Sequence, residues 1–115
     1  MIVTQGVPKS NLSNRYKVAG NATNIGTVWY QIAGVNPARQ KISIYNGSAS
    51  ASATGVFYIA FGAKPADISA GAPVDYTLAL RPGDLYEDWN SIDAVYTVVL
   101  TSGTSTDLLF VTEMM

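Results

Sequence analysis

Short segments rich in Val, Ile, Thr and aromatic residues recur along the chain, and clusters of Gly, Asn, Ser and Pro separate them. This pattern is typical of an all-β domain, because β-branched and aromatic side chains favour strands while Gly, Asn and Pro favour turns. The segments predicted to be strands are 15–19, 27–33, 39–45, 55–62, 75–80, 85–89, 94–101 and 106–112. A chain of 115 residues has room for one core. We therefore expect an all-β, single-domain antiparallel β-sandwich, jelly-roll-like, with about eight strands.

Alternation along two segments predicts which side chains face the core. In segment 39–45, Ile42 and Ile44 should point inward, with polar side chains between them pointing outward. Segment 55–62 is apolar on both faces, which places it in the centre of a sheet. Its predicted core residues are Phe57, Ile59 and Phe61.

The second half of the chain gives two further predictions. Segment 75–80 should place Tyr76, Leu78 and Leu80 on one side. The Arg-Pro-Gly-Asp sequence at 81–84 predicts a type II turn, because Pro presets φ at the first central position and Gly tolerates a positive φ at the second.

The last two predicted strands, 94–101 and 106–112, are close together in the sequence. Ser102 and Gly103 between them are typical turn residues. We therefore expect these two strands to pair as a hairpin.

The first twelve residues differ from the rest of the chain. They are polar, contain Gly6 and Pro8, and show no alternating apolar pattern. We predict an extended N-terminal arm over 1–12 and the β-sandwich domain over 13–115. The apolar side chains of this arm are candidates for contact with a partner protein: Ile2, Val3, Val7 and Leu12.

Composition excludes several kinds of chemistry. The chain has no Cys and no His, so thiolate and imidazole metal sites, Ser-His-Asp triads and histidine bases are impossible. Charged residues make up only 13% and the net charge is -1, which argues against a nucleic-acid partner. The longest strongly apolar run, 56–61, is far short of the roughly 20 residues that span a bilayer. We expect no enzyme, no cofactor, no metal and no membrane partner.

Two charged clusters have alternative interpretations. Asp84, Glu87, Asp88 and Asp93 could hold Ca²⁺ or act as paired acids. In a strand, however, Glu87 and Asp88 point to opposite faces, and the spacing of a Ca²⁺ loop is missing, so we interpret the cluster as a solvated turn. The cation-and-ring sequence at 15–17 resembles single-strand nucleic-acid binders, but no basic stripe extends it.

Large aromatic rings are numerous for a chain of this length. Most should fill the core, while an exposed ring could anchor a protein interface or stack on a sugar. Trp29 and Trp89 are the candidates for exposure, because their neighbours on the same face are polar or small.

The order of motifs between 39 and 113 resembles that of small structural proteins of tailed bacteriophages. The matching features are a basic residue opening a strand that ends in Asn-x-Ser (Arg39, Asn46, Ser48), a Tyr-to-Gly strand (58–62), a Leu-x-Pro-Gly-Asp turn (80–84), an Ala-Val-Tyr strand (94–96) and a final strand ending in Glu (Glu113). The Ser-Ala repeat after Asn46 departs from the family pattern. The resemblance implies a virion component on a jelly-roll or sandwich scaffold, often a capsid decoration (cement) protein.

The expected function is therefore that of a virion structural protein that decorates the phage capsid and bridges neighbouring major capsid subunits. It is expected on the capsid surface as a homo-oligomer, after assembly in the host cytoplasm. The alternative is a carbohydrate- or receptor-binding β-sandwich of a phage tail, fibre or head-fibre accessory. A small lyase or isomerase on the same scaffold would lack both His and paired carboxylates.

Overall fold

The computed structural model describes residues 13–19, 29–48, 55–68, 75–99 and 108–115. These ranges contain eight strands: β1 (Ser13–Ala19), β2 (Tyr30–Ala33), β3 (Lys41–Asn46), β4 (Phe57–Phe61), β5 (Leu78–Leu80), β6 (Leu85–Trp89), β7 (Val95–Val99) and β8 (Leu108–Met114). The strands form two antiparallel four-stranded sheets. The first sheet has the order β1-β8-β3-β6 and the second has the order β2-β7-β4-β5.

The connectivity of the strands is that of a jelly roll. Consecutive strands alternate between the two sheets, and only β4 and β5 are consecutive neighbours within one sheet. This order is the double-sheet arrangement found in viral capsid and lectin domains. The predicted all-β sandwich of about eight strands is confirmed. In the described ranges, no helix is long and apolar enough to cross a membrane.

The predicted hairpin between the last two strands is wrong. β7 pairs with β2 and β4 in the second sheet, whereas β8 pairs with β1 and β3 in the first. β7 and β8 are both inner strands, so the backbone groups of each pair with a neighbour on either side, and the jelly roll supplies these neighbours in different sheets. The expected turn at Ser102 and Gly103 lies outside the described residues.

The core lies between the two sheets and follows the predicted alternation. Phe57 and Ile59 of β4 are fully buried, and β4 lies between β7 and β5, so the predicted central strand is confirmed. Phe61 is partly buried, and the centres of its ring and of the Tyr86 ring lie 5.6 Å apart in an edge-on arrangement. The largest fully buried aliphatic partners are Ile42, Ile44, Leu109, Val111, Val95 and Val99.

The residues around β5 confirm one prediction and correct another. Gly83 has φ of 91° and the amide of Asp84 donates to the carbonyl of Arg81 at 2.9 Å, as a type II turn requires. The sequence predicts Tyr76 on the same side as Leu78 and Leu80, but the strand begins only at Leu78. The exposed ring of Tyr76 instead packs edge-on against Tyr58, with the ring centres 4.9 Å apart.

Arg39, just before β3, is buried and fully paired. Its guanidinium donates to the carbonyl oxygens of Gly34, Ser91 and Asp93 at 2.8, 3.0 and 3.0 Å. The same group meets Glu113 Oε2 at 2.8 Å from Nε and 2.6 Å from Nη2. A buried charge of this kind is tolerated only when it is paired and hydrogen-bonded. One side chain thus fastens two loops to the end of β8.

Tyr16 joins this cluster from β1. Its hydroxyl donates to Glu113 Oε1 at 3.4 Å. Burial, and then the charge of Glu113, raises the pKa of the Tyr16 phenol well above its ordinary value of 10, so the group stays a neutral donor.

Asn46 fixes the other end of β3. Its amide nitrogen donates to the carbonyls of Gly55 and Leu80 at 2.6 and 2.8 Å, and its amide oxygen accepts from the main chain and hydroxyl of Ser48 at 3.0 and 2.6 Å. Its own carbonyl accepts from Gly83 at 2.7 Å. Because Leu80 belongs to β5, Asn46 also ties the first sheet to the second. β3 is therefore held rigidly at both ends.

Candidate interaction face

The candidates named from sequence lie in very different places. Trp89, at the end of β6, is 63% exposed. Trp29 is only 3% exposed, so the expectation that it is an exposed aromatic is wrong. The candidates of the arm, Ile2, Val3, Val7 and Leu12, lie outside the described residues.

Trp29 is buried because the outer side of the second sheet has its own apolar cluster. Trp29 packs with Ala60 and Val98, and Tyr58, Tyr96 and Ile68 complete the cluster. Ile68 follows β4 in a loop, so a comparison of neighbours along β2 alone could not have revealed this cover.

The solvent side of the first sheet, called the outer face below, is built by strand register. On β3, Ile42, Ile44 and Asn46 are buried, so the residues between them face outward. The register aligns these with outward residues of the neighbouring strands. Outward residues that pair side by side across β1, β8, β3 and β6 form a row. The middle row is Arg15, Thr112, Ser43 and Glu87. The next row is Lys17, Phe110, Tyr45 and Leu85. A further row holds Met114, Lys41 and Trp89.

Large apolar side chains are exposed on this face. Tyr45 is 43% exposed, Leu85 57% and Phe110 39%. The rings of Tyr45 and Phe110 lie 6.3 Å apart with a tilt of 31°. Phe110 also lies against Gly47, where a side chain would collide with the ring. These three residues form one exposed apolar row, and Trp89 stands two rows away, beyond the polar row of Ser43 and Glu87. Exposed apolar surface of this kind is a common mark of an interaction site.

A polar ladder borders the apolar surface on β3 and β6. Lys41 Nζ lies 4.8 Å from the centre of the Trp89 ring and 3.1 Å from Glu87 Oε2. Ser43 donates to Glu87 Oε2 at 2.7 Å. The Ser43 hydrogen bond, and then Lys41, holds the pKa of the Glu87 carboxyl below its ordinary value. Glu87 is therefore an anion at neutral pH, at the β6 edge of the face.

A groove opens at the opposite edge, between β1 and β8. It has a volume of about 410 Å³. Its lining residues are Arg15, Tyr16, Lys17, Phe110, Val111 and Thr112. The cations Arg15 and Lys17 thus stand beside an exposed aromatic ring, at the far side of the sheet from Glu87.

The acidic residues are distributed as alternation predicted. Glu87 faces outward, whereas Asp88 faces the other way and accepts from the Tyr86 hydroxyl at 3.2 Å. Among the residues that the structure describes, no three Asp, Glu, His or Cys side chains are grouped as metal ligands would be. The arrangement on the outer face suits contact with another surface, through apolar rings framed by charges.

The exposed members Tyr45, Leu85 and Phe110 were not identified from sequence. A signal was available for two of them. Tyr45 alternates with buried Ile42 and Ile44, and Phe110 lies between buried Leu109 and Val111, so each is an apolar residue at an outward position.

Comparison with known proteins gives no relative for this chain. No protein-family model, no curated protein and no solved structure matches it. The resemblance to phage proteins therefore stays a prediction, and the function has to be argued from the residues.

Proposed function

We propose that this chain is a virion structural protein that decorates the capsid of a tailed phage and reinforces it by bridging neighbouring major capsid subunits. The observation that carries the proposal is the outer face, on which a rigid sheet exposes Tyr45, Leu85, Phe110 and Trp89. A domain that acts alone in solution rarely exposes so many large apolar side chains on one side. A domain that acts within an assembly covers them.

The scaffold supports the same proposal. Jelly rolls are used by viral capsid domains, as well as by lectins and cupins. The resemblance to phage proteins includes Arg39, Asn46, Ser48 and Glu113 beside the motifs at 58–62, 80–84 and 94–96, and these four residues make contacts at the two ends of β3. The resemblance is therefore one of scaffold, and the capsid role is what it implies.

Bridging needs contacts on more than one side of the protein. A specific interface buries about 1,600 Å² in total, and repetition over a symmetric shell multiplies the effect of each contact. In the proposed arrangement, copies of the chain contact each other and each copy binds a capsid subunit. Residues 1–12 are assigned to the capsid contact, since twelve extended residues reach up to about 40 Å.

Deleting residues 1–8 is expected to weaken attachment to capsids at least tenfold, about 1.4 kcal/mol. The deletion removes Ile2, Val3 and Val7, which offer apolar contacts to the partner. The melting temperature should stay nearly unchanged, because the described sandwich begins with β1 at Ser13. The measurement is co-sedimentation of full-length and truncated protein with undecorated capsids.

The control is the full-length chain with Lys64→Ala, a change at an exposed residue that follows β4 and lies outside the arm. This control should bind like the wild type. Equal binding of the truncated chain would remove the arm from the attachment surface, and unfolding of the truncated chain would make residues 1–8 part of the sandwich.

A second function, binding of a carbohydrate, is favoured by one observation. Trp89 is 63% exposed beside Lys41, and an exposed Trp next to hydrogen-bonding groups is suited to stacking on a sugar ring. A glycan array separates the two proposals. Binding that Trp89→Ala abolishes would favour the receptor-binding role, and no binding to any glycan would leave the capsid role.

A further inference from the structure

We propose that a second copy of this chain covers the outer face, and that the two copies stack face to face about a two-fold axis. The axis runs parallel to the strands, between β8 and β3. This inference deepens the proposed function, in which copies of the chain contact each other, and the contact can be tested without a capsid.

The axis brings unlike elements of the two copies together. A half-turn about it places β1 opposite β6 of the second copy and β8 opposite β3, while each row of outward residues faces the same row. In the middle row Arg15 then faces Glu87 of the second copy. In the next row Phe110 faces Tyr45 of the second copy. Symmetry makes every such contact twice.

A two-fold axis in the plane of the interface can run parallel or perpendicular to the strands, and the distribution of charge favours the parallel axis. The cations Arg15 and Lys17 are on β1 at one edge, and the anion Glu87 is on β6 at the other. An axis perpendicular to the strands would stack β1 on β1 and bring four cations together, which is repulsive. The axis parallel to the strands instead places the two cations of each copy opposite the edge that carries Glu87, the carboxylate that Lys41 of its own copy also contacts.

The shape of the face fits the same arrangement. The groove between β1 and β8 comes to lie opposite the row that carries Leu85, the most exposed aliphatic side chain of the outer face at 57%. Leu85 of the second copy can therefore enter beside Phe110, under the aliphatic stem of Lys17. Each copy offers one projection and one groove.

The size of the face sets the expected strength. Four strands at about 4.8 Å spacing, with rows that extend about 20 Å along the strands, give about 400 Å² per copy in flat projection. Complete coverage of the face thus buries about 800 Å² over the pair in flat projection, and side-chain relief brings it close to the roughly 1,000 Å² of a small specific interface. We expect a dissociation constant in the micromolar range. Where copies are concentrated on one shell, a larger fraction of them should be paired.

The test is a charge exchange followed by sedimentation velocity of the full chain, from about 1 µM to about 1 mM. Arg15→Glu and Glu87→Arg are each expected to weaken the dimer at least tenfold, because each places like charges opposite one another twice. The combined variant restores opposite charges and is expected to return to within about threefold of the wild type. In one copy Arg15 and Glu87 are three strand spacings apart, about 14 Å, so the rescue has to come from contact between copies.

The matched control combines Lys17→Glu with Glu87→Arg. It has the same charge as the combined variant, but Lys17 faces Leu85 rather than Glu87, so no rescue is expected. All these side chains lie on the exposed face, and unchanged circular dichroism would show that each variant is folded. A wild type that stays monomeric over the whole range overturns the proposal. Equal affinities for the combined variant and the control overturn the proposed axis.

Discussion

Replacing Arg39 by methionine should lower the free energy of unfolding by about 3–5 kcal/mol, because it leaves a buried carboxylate without its cation. Glu113, whose side chain is only 9% exposed, would lose its cation and keep the Tyr16 hydroxyl as a donor, and the carbonyls of Gly34, Ser91 and Asp93 would lose the guanidinium as a donor. That loss is a large part of the roughly 5–15 kcal/mol that holds such a domain folded. Urea denaturation of the two proteins measures it directly.

The matched control is Lys41→Met, which removes the cation of the solvent-facing ion pair with Glu87. Water and salt screen such a pair, so the denaturation midpoint should change little. The double variant Arg39→Met/Glu113→Met should recover part of the loss, since no lone buried charge remains. Similar midpoints for Arg39→Met and Lys41→Met would contradict the role given to the buried cluster.

Phe57→Ala is expected to cost about 3–5 kcal/mol, from lost burial and from the cavity that the ring leaves behind. Phe57 is fully buried in β4, between β7 and β5. Phe110→Ala is the control of the same chemistry, because Phe110 is 39% exposed on the outer face. Its midpoint should shift far less. Equal losses for the two variants would mean that the assignment of inner and outer faces is wrong.

Strand positions could be predicted where a segment has a clear two-residue alternation. The sequence of β3 alternates between buried Ile and polar residues, and β6 was predicted over its observed bounds, Leu85–Trp89. Pairing was harder, because alternation fixes the face of a strand and says nothing of its neighbour. β7 and β8 follow each other in the chain yet lie in different sheets, since the jelly roll satisfies both of them with partners that are distant in sequence.

The candidate site was predicted only in part, for a related reason. Trp89 is exposed as expected, because Lys41 beside its ring covers only part of it. Trp29 is buried by residues of β4, β7 and the loop that carries Ile68, which no inspection of β2 could reveal. Exposure of an aromatic ring depends on what the rest of the fold places over it.

The polar residues of the motifs that resemble phage proteins have structural roles in the fold. Arg39 and Glu113 form a buried pair at one end of β3, and Asn46 with Ser48 forms a hydrogen-bonded corner at the other. A sequence pattern made of such residues identifies a way of building the sandwich. The surface that acts on a partner is made of different residues, so it has to be tested separately.

The most direct test of the proposed capsid role is to image purified particles of a phage that carries the gene for this chain by electron microscopy, with that gene intact and with it deleted. The account predicts regularly spaced surface density on the intact shells and smooth shells without it, and adding the purified chain back should restore the density. Identical shells, with the chain missing from purified virions by mass spectrometry, would contradict the proposed function.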